Sequence, residues 1–558
     1  MAQCSRVPAC RRREEPAAVR LCRSSPPRHA KCLGASREDA RRREERLRRR
    51  EFLVGSVGLA AWALPGGWAG AWAAEKRPEA DEGTPFDGST VRQLARQLAQ
   101  SPYKAPNDPL PDELKKLSYD AYRAIRFRPE NALWRDTDLP FQVQFFHRGF
   151  IFTDRVAIHE VDQGRARPVR YSPSQFSFGE TPPPKPDADL GYAGFRLHAK
   201  INRPDYYDEV AVFLGASYFR AVAKGQVFGL SARGLSIGTG NSKGEEFPAF
   251  RSFWIERPSA QARSIVVYAL LDSASTAAAY RFTIRPGDET VMDIEVALYP
   301  RAKIDQAGLG TLTSMFFFDA QDRVGIDDFR PAVHDSSGLA IHTGSGERLW
   351  RPLSNPRDLQ VSGFADANVR GFGLVQRNRD FRVFQDLEAR YEQRPNAWVE
   401  PIGDWGEGEV QLYEIPARNE YNDNIVVFWR PKEPFQAKRE YIYTYRLHWT
   451  SQDPNVDGRA TFARTRQGAG HDDRRLFVLE AVGEALKKLP PDAEVRGDVG
   501  ASAGKILHVV TQPNPHTGGW RLSFFLDPEK ATAVDLRARF VQGQEALSET
   551  WIFRWTPP

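Results

Sequence analysis

From Phe141 onward the chain alternates between apolar and polar positions. Phe141-Gln-Val143-Gln-Phe145, Tyr280-Arg-Phe282-Thr-Ile284 and Tyr441-Ile-Tyr443-Thr-Tyr445-Arg-Leu447-His-Trp449 each repeat with a period of two. That period sends successive side chains to opposite faces of an extended backbone, so each run predicts a strand with one face in a core. Turn clusters separate the runs: Asn202-Arg-Pro204-Asp205, Arg285-Pro-Gly287-Asp288 and Glu407-Gly408. Pro presets φ, and Gly and Asn tolerate conformations that other residues avoid. Helical periodicity is scarce between 140 and 450. Many short strands with polar turns predict an all-β protein whose main body, over 84–450, is a large antiparallel sandwich.

Two helices are expected ahead of the strands. Ser89 is placed to cap a short one with Val91, Leu94, Ala95 and Leu98 on its apolar face. A second is expected over 111–125, with Leu114, Leu117 and Tyr122 turned inward. Residues 451–473 carry the polar strings Ser-Gln-Asp-Pro, Asp-Gly-Arg and Gln-Gly-Ala-Gly-His and read as a linker. Beyond it, apolar runs at 476–479, 506–510, 520–524 and 551–555 predict a smaller sandwich over 474–558, of immunoglobulin-like size.

The first 74 residues follow a different pattern. Arg49-Arg50-Glu51-Phe52-Leu53 leads into an apolar stretch from Val54 to Leu64, and then Ala71-Trp72-Ala73. An arginine pair, an apolar run too short to span a bilayer and a small-x-small site together predict a twin-arginine export signal and a periplasmic destination. Residues 1–47 are either a disordered start to that signal or upstream sequence.

Removing this leader changes the charge picture. It holds 16 of the 78 Lys and Arg and 7 of the 72 Asp and Glu, which leaves 62 basic against 65 acidic residues. The basic balance therefore belongs to the leader, and no nucleic-acid partner is implied. All four cysteines (Cys4, Cys10, Cys22, Cys32) lie in the leader too, so the remainder has no disulfide and no thiolate chemistry. The histidines are scattered without a paired metal spacing, and no cofactor is expected. Gly234-Leu-Ser236-Ile-Gly238 fits the nucleophile-elbow pattern, but a polar Thr-Gly-Asn-Ser loop follows where a helix is needed.

What remains is carboxylates among arginines and aromatics. Three stretches stand out: Arg330-Pro-Ala-Val-His334-Asp335-Ser-Ser; Arg379-Asp380-Phe381 continuing to Asp386, Tyr391, Arg394 and Trp398; and Glu420-Tyr-Asn422-Asp423-Asn424, which enters the apolar run Ile425-Val-Val-Phe-Trp429. An acid at the junction of a polar loop and a buried strand can be desolvated, which suits a general acid. Two carboxylates flanking a sugar are the minimum for glycoside hydrolysis. Acids in loops also cap turns, so spacing alone leaves both readings open.

Longer strings narrow the choice. Phe213-Leu-Gly-Ala-Ser-Tyr-Phe-Arg220, Gly229-Leu-Ser-Ala-Arg-Gly234, Tyr268-Ala-Leu-Leu-Asp272-Ser-Ala-Ser275, Leu312-Thr-Ser-Met315, Gly371-Phe-Gly373, Trp405-Gly-Glu-Gly408 and Asp423-Asn-Ile-Val426 resemble the periplasmic glucan biosynthesis proteins G and D, from about Phe86 to the C-terminus. The arginine pair resembles the D branch. The resemblance implies a mutarotase-like β-sandwich joined to an immunoglobulin-like domain, acting in osmoregulated periplasmic glucan biosynthesis. It implies a β-1,2-glucan as partner and substrate, contact with the membrane glucan synthase, and an inverting endo-glucanase or transglycosylase activity. A homodimer is left open. Matched motif by motif, the general acid falls on Asp423 and the base on Asp335, with Tyr391 and Arg394 lining the cleft. The alternative is a non-catalytic factor that binds nascent glucan and guides it from the synthase.

Overall fold

The period-two runs form strands: Phe141–His147, Thr276–Arg285 and Tyr441–Thr450. The computed structural model describes residues 83–557, apart from 243 and 491. Its strands collect into two large sheets. The ten-stranded sheet has Gln360–Ala367 at one edge and Phe141–His147 at the other, with Ile425–Pro431, Ala307–Ser314 and Tyr218–Ala221 between them. The 16-stranded sheet runs from Thr84–Pro85 through Ile265–Asp272, Thr276–Arg285, Thr290–Pro300 and Tyr441–Thr450 to Arg496–Ala501.

Phenylalanines seal the two sheets together. Phe195, Phe213 and Phe219 of the ten-stranded sheet stack with near-parallel rings, with centroids 5.1 and 5.5 Å apart. They meet Phe253 and Phe282 of the other sheet edge-on, at 5.0 and 5.2 Å. Both arrangements satisfy the aromatic quadrupole, so the rings add specific geometry to their large buried area. Within the 16-stranded sheet, Tyr280 pairs with Val296 and Phe282 with Ile294, all buried. These pairs fix the register, because a slip of one residue would turn every apolar side chain to the wrong face.

Several expectations change in detail. The polar members of the first run, Gln142 and Gln144, are only 3% and 6% exposed, so that strand is covered on both faces. The first helix spans Thr90–Ala99 and buries Val91 and Ala95, whereas Leu94 is exposed. Its free N–H groups are met by Asp87, whose Oδ1 accepts from the amides of Ser89 (2.8 Å) and Thr90 (3.1 Å), and the Ser89 side chain makes no cap. The expected helix over 111–125 breaks into Asp112–Lys115 and Tyr119–Ala124, because the Ser118 hydroxyl accepts from the amide of Ala121 and starts a new helix.

The C-terminal region forms a four-stranded sheet from Thr461–Ala469, Arg475–Val482, Gly519–Asp527 and Lys505–Asn514. Phe477, Phe524, Trp551 and Phe553 fill the space between it and the strands Val534–Gln542 and Thr550–Trp555. Those last strands belong to the 16-stranded sheet, through parallel pairing of Leu349 with Thr550 and Trp350 with Trp551. The segment read as a linker therefore contains a nine-residue strand. Thr461–Ala469 is largely polar and sends only Phe462 and Thr465 into the core, which leaves too thin an apolar signal to read. Arg377 ties this region to the main body: its guanidinium lies 3.5 Å over the Trp350 ring and donates to Glu549 and Asp453, each at 2.9 Å.

Candidate functional site

The end of the strand Ala307–Ser314 is where the predicted acids meet. Asp335 follows the two-residue strand Val333–His334, which pairs with Phe316–Phe318. Its amide donates to the carbonyl of Met315 (2.8 Å), and the Ser336 and Ser314 hydroxyls are 2.9 Å apart. Asp423 arrives from the other side, one residue before Asn424 and the buried strand Ile425–Pro431. Asn424 works as a clasp: its Oδ1 accepts from the Phe316 amide (2.8 Å), and its Nδ2 donates to the carbonyls of Phe316 (2.9 Å) and Ile415 (3.1 Å). The Thr313 hydroxyl donates to Asp423 Oδ2 at 2.9 Å. Both acid-bearing loops are thus fastened to residues 313–316.

Two arginines sit with the two acids. Arg394 follows the short helix Tyr391–Gln393 and donates through Nη1 to Asp335 Oδ1. Its Nε donates to the carbonyl of Ala389 (3.3 Å), and its guanidinium lies 4.4 Å over the ring of Tyr391. Gly229 makes room for it, since a Cβ there would stand 2.9 Å from Arg394 Cβ and Cδ. Arg220, on the strand Tyr218–Ala221, feels the fields of Asp423, Asp335 and Arg394 together. Burial pulls its pKa down, and the two carboxylates partly restore it. Two positive and two negative side chains therefore share one partly desolvated site, where charges interact far more strongly than in water.

The acids differ in environment. Asp335 is 4% exposed and Asp423 is partly exposed. Burial pushes the Asp335 carboxyl above the ordinary range, Arg394 opposes that, and the charge of Asp423 adds to it. Tyr218 stands beside Asp423 with its pKa raised, first by burial. Arg233 covers the Tyr218 ring at 4.9 Å and pairs with Glu245 at 2.7 Å. The Arg233 guanidinium also lies 5.6 Å from the ring of Phe247, a residue that is 60% exposed.

Of the four residues expected from sequence, Asp335, Asp423 and Arg394 come together. Tyr391 lies behind them: it is 0% exposed, beneath Arg394 and against Phe384 at 5.7 Å, so it backs the cleft arginine and does not line a cleft. Arg220, Tyr218 and Thr313 join them; they lie inside the family-like strings, which by themselves give them no role. Arg220 carries a legible signal: in Tyr-Phe-Arg-Ala, Phe219 and Ala221 turn to the core, which sets a lone arginine on the same face as a tyrosine. Ser236 of the elbow-like motif lies in a two-residue strand, 1% exposed, with a loop after it.

Residues 86–555 match the family described as periplasmic glucan biosynthesis protein, MdoG. The chain is 62% identical, over 84% of its length and 93% of the relative's, to glucans biosynthesis protein G of Rhodopseudomonas palustris strain BisA53. It is 56% identical, over 92% and 100%, to the protein of that name from Bradyrhizobium diazoefficiens. With its namesake in Vibrio cholerae strain O395 the identity is 49%, over 84% and 87%. These relatives carry the letter G, which overturns the D-branch expectation drawn from the arginine pair; that pair lies outside the described residues. Among solved structures, a galactose mutarotase related enzyme from Lactobacillus acidophilus overlaps 43% of this chain and 97% of its own, at 9% identity and a TM-score of 0.19, too slight to argue from.

Proposed function

The chain belongs to the family of periplasmic glucan biosynthesis proteins, and from that premise we propose that it acts on a β-1,2-glucan, cleaving or re-joining the chain with inversion. The observation that carries this reading is the meeting of Asp335 and Asp423 on one strand end, with Arg220 and Arg394 between them in charge. An inverting reaction needs one carboxylic acid to protonate the leaving oxygen and one carboxylate to activate the nucleophile on the opposite face of the sugar. Asp423, partly exposed, takes the first role. Thr313 fixes one of its oxygens, so the loop presents the carboxyl in one orientation. Asp335 takes the second. It is too buried to meet a sugar hydroxyl directly, so it draws the proton through intervening groups. Arg394 and Arg220 favour its ionised form and oppose the desolvation that raises its pKa.

The setting is the periplasm that the family description names. Among the described residues no helix is long and apolar enough to cross a membrane. The nascent glucan from the membrane synthase is the natural source of substrate under this reading. Purified protein incubated with linear β-1,2-glucan should give shortened or cyclic products, and Asp423→Asn and Asp335→Asn should each slow their formation by on the order of 10²-fold or more. Glucan binding without any product from the wild-type protein would leave the non-catalytic guiding role in place.

A further inference from the structure

Arg330 makes contacts that neither the fold nor the acid pair requires. Its guanidinium is shared by three carboxylates from three separate loops. Nε and Nη2 donate to Asp328 at 2.9 and 2.7 Å, Nη1 donates to Asp386 Oδ2 at 2.8 Å, and Nη2 donates to Glu420 Oε2 at 2.6 Å. The side chains are 8% exposed for Arg330, and 16%, 9% and 10% for Asp328, Asp386 and Glu420. Burying several carboxylates around a guanidinium is a poor way to gain stability, because desolvation offsets most of the attraction. A planar fork with five N–H donors is, however, suited to fixing the mutual geometry of several carboxylates.

Two of the arms, Asp386 and Glu420, lead to the site. Asp386 Oδ1 accepts from the amides of Glu388 (3.1 Å) and Ala389 (2.8 Å); the Ala389 carbonyl accepts from Arg394 Nε (3.3 Å); and Arg394 holds Asp335. Glu420 lies three residues before Asp423, on the loop that carries it. The hub is itself braced, as Arg323 donates to the carbonyls of Pro331 and Asp328, each at 2.9 Å. We infer that Arg330 is a positioning residue that couples the Asp423 loop to the Arg394–Asp335 pair, so that the two carboxyl groups keep one relative placement. This inference rests on the acid–base reading given above. Side chains that hold reacting groups act through distances, and a misplacement of about 1 Å can lower a rate by about 10²-fold.

The test uses the full mature chain with Arg330→Lys, which keeps the charge and loses the fork, and Glu420→Gln, which weakens one arm only. Amide hydrogen exchange is read first. Arg330→Lys should speed exchange in both 386–394 and 418–424, while Glu420→Gln should speed it in 418–424 alone. Turnover of linear β-1,2-glucan is read second, per folded molecule. Arg330→Lys should lower kcat by about tenfold or more while KM changes less than about threefold. Unchanged exchange in either loop, or a wild-type kcat in Arg330→Lys, overturns the coupling. A kcat loss that tracks only the unfolded fraction also overturns it. If the wild-type protein itself turns over no glucan, the acid–base reading fails, and the exchange experiment still decides whether Arg330 links the two loops.

Discussion

Arg394 donates to Asp335 while its guanidinium lies 4.4 Å over the ring of Tyr391, so one cationic group serves both a buried carboxyl and an aromatic face. The pair is almost closed to water, with side-chain exposures of 8% and 5%. Breaking it leaves an uncompensated buried charge, which is why Arg394 carries stability as well as any role in turnover.

Arg394→Ala should therefore destabilise the protein by about 3–5 kcal/mol near neutral pH. The loss should shrink in acid. Asp335 has a folded-state pKa above its unfolded value, so its ionisation works against folding as pH rises between the two, and removing Arg394 widens that gap. Denaturant unfolding of wild type and variant between pH 4 and 8 measures this. A loss independent of pH would mean that the arginine contributes through packing on Tyr391 and not through Asp335.

Asp423→Asn keeps shape and the contact with Thr313 while removing the proton that an acid must give. Turnover should fall on the order of 10²-fold or more with little change in thermal stability. Near-normal turnover would sink the assignment of Asp423.

Asp322 provides a pH test away from the site. Burial lifts its pKa from 3.8 to about 6, the amide of Asn355 (2.6 Å) partly opposes this, and Glu414 adds to it. A carboxyl raised in the folded state contributes stability that is present below pH 3.8 and lost as pH climbs through about 6. Asp322→Asn should remove that dependence. Relative to wild type, the variant should gain stability between pH 4 and 7, by at most about 3 kcal/mol. A constant difference across that range would contradict the shift.

Arg377→Ala should separate the C-terminal region from the main body. Among the described residues the sheet continues between them through the Leu349–Thr550 and Trp350–Trp551 pairs, and Arg377 supplies the ion pairs with Glu549 and Asp453 beside them. Loss of that buried cluster should cost about 3–5 kcal/mol. In calorimetry the melt should split, with the C-terminal sandwich unfolding first. A single transition, merely lowered, would mean that the shared sheet alone keeps the two regions cooperative.

The alternating runs at 141–145, 280–284 and 441–449 determined the strands by themselves, because a period of two is a local property that burial then enforces. The same holds for Ile425–Trp429, whose unbroken apolar run is buried throughout. The acids Asp335 and Asp423 were legible as candidates, through family-like motifs and their place at loop–strand junctions. What no local pattern could give is their meeting. That depends on Asn424 clasping Phe316 and on the amide of Asp335 reaching Met315, contacts made only when three distant strand ends converge. The sequence also could not tell that Tyr391 lies behind Arg394, or that Thr461–Ala469 closes a sheet. Both follow from which face of a segment meets a neighbour, and that is decided by the packing of the whole core.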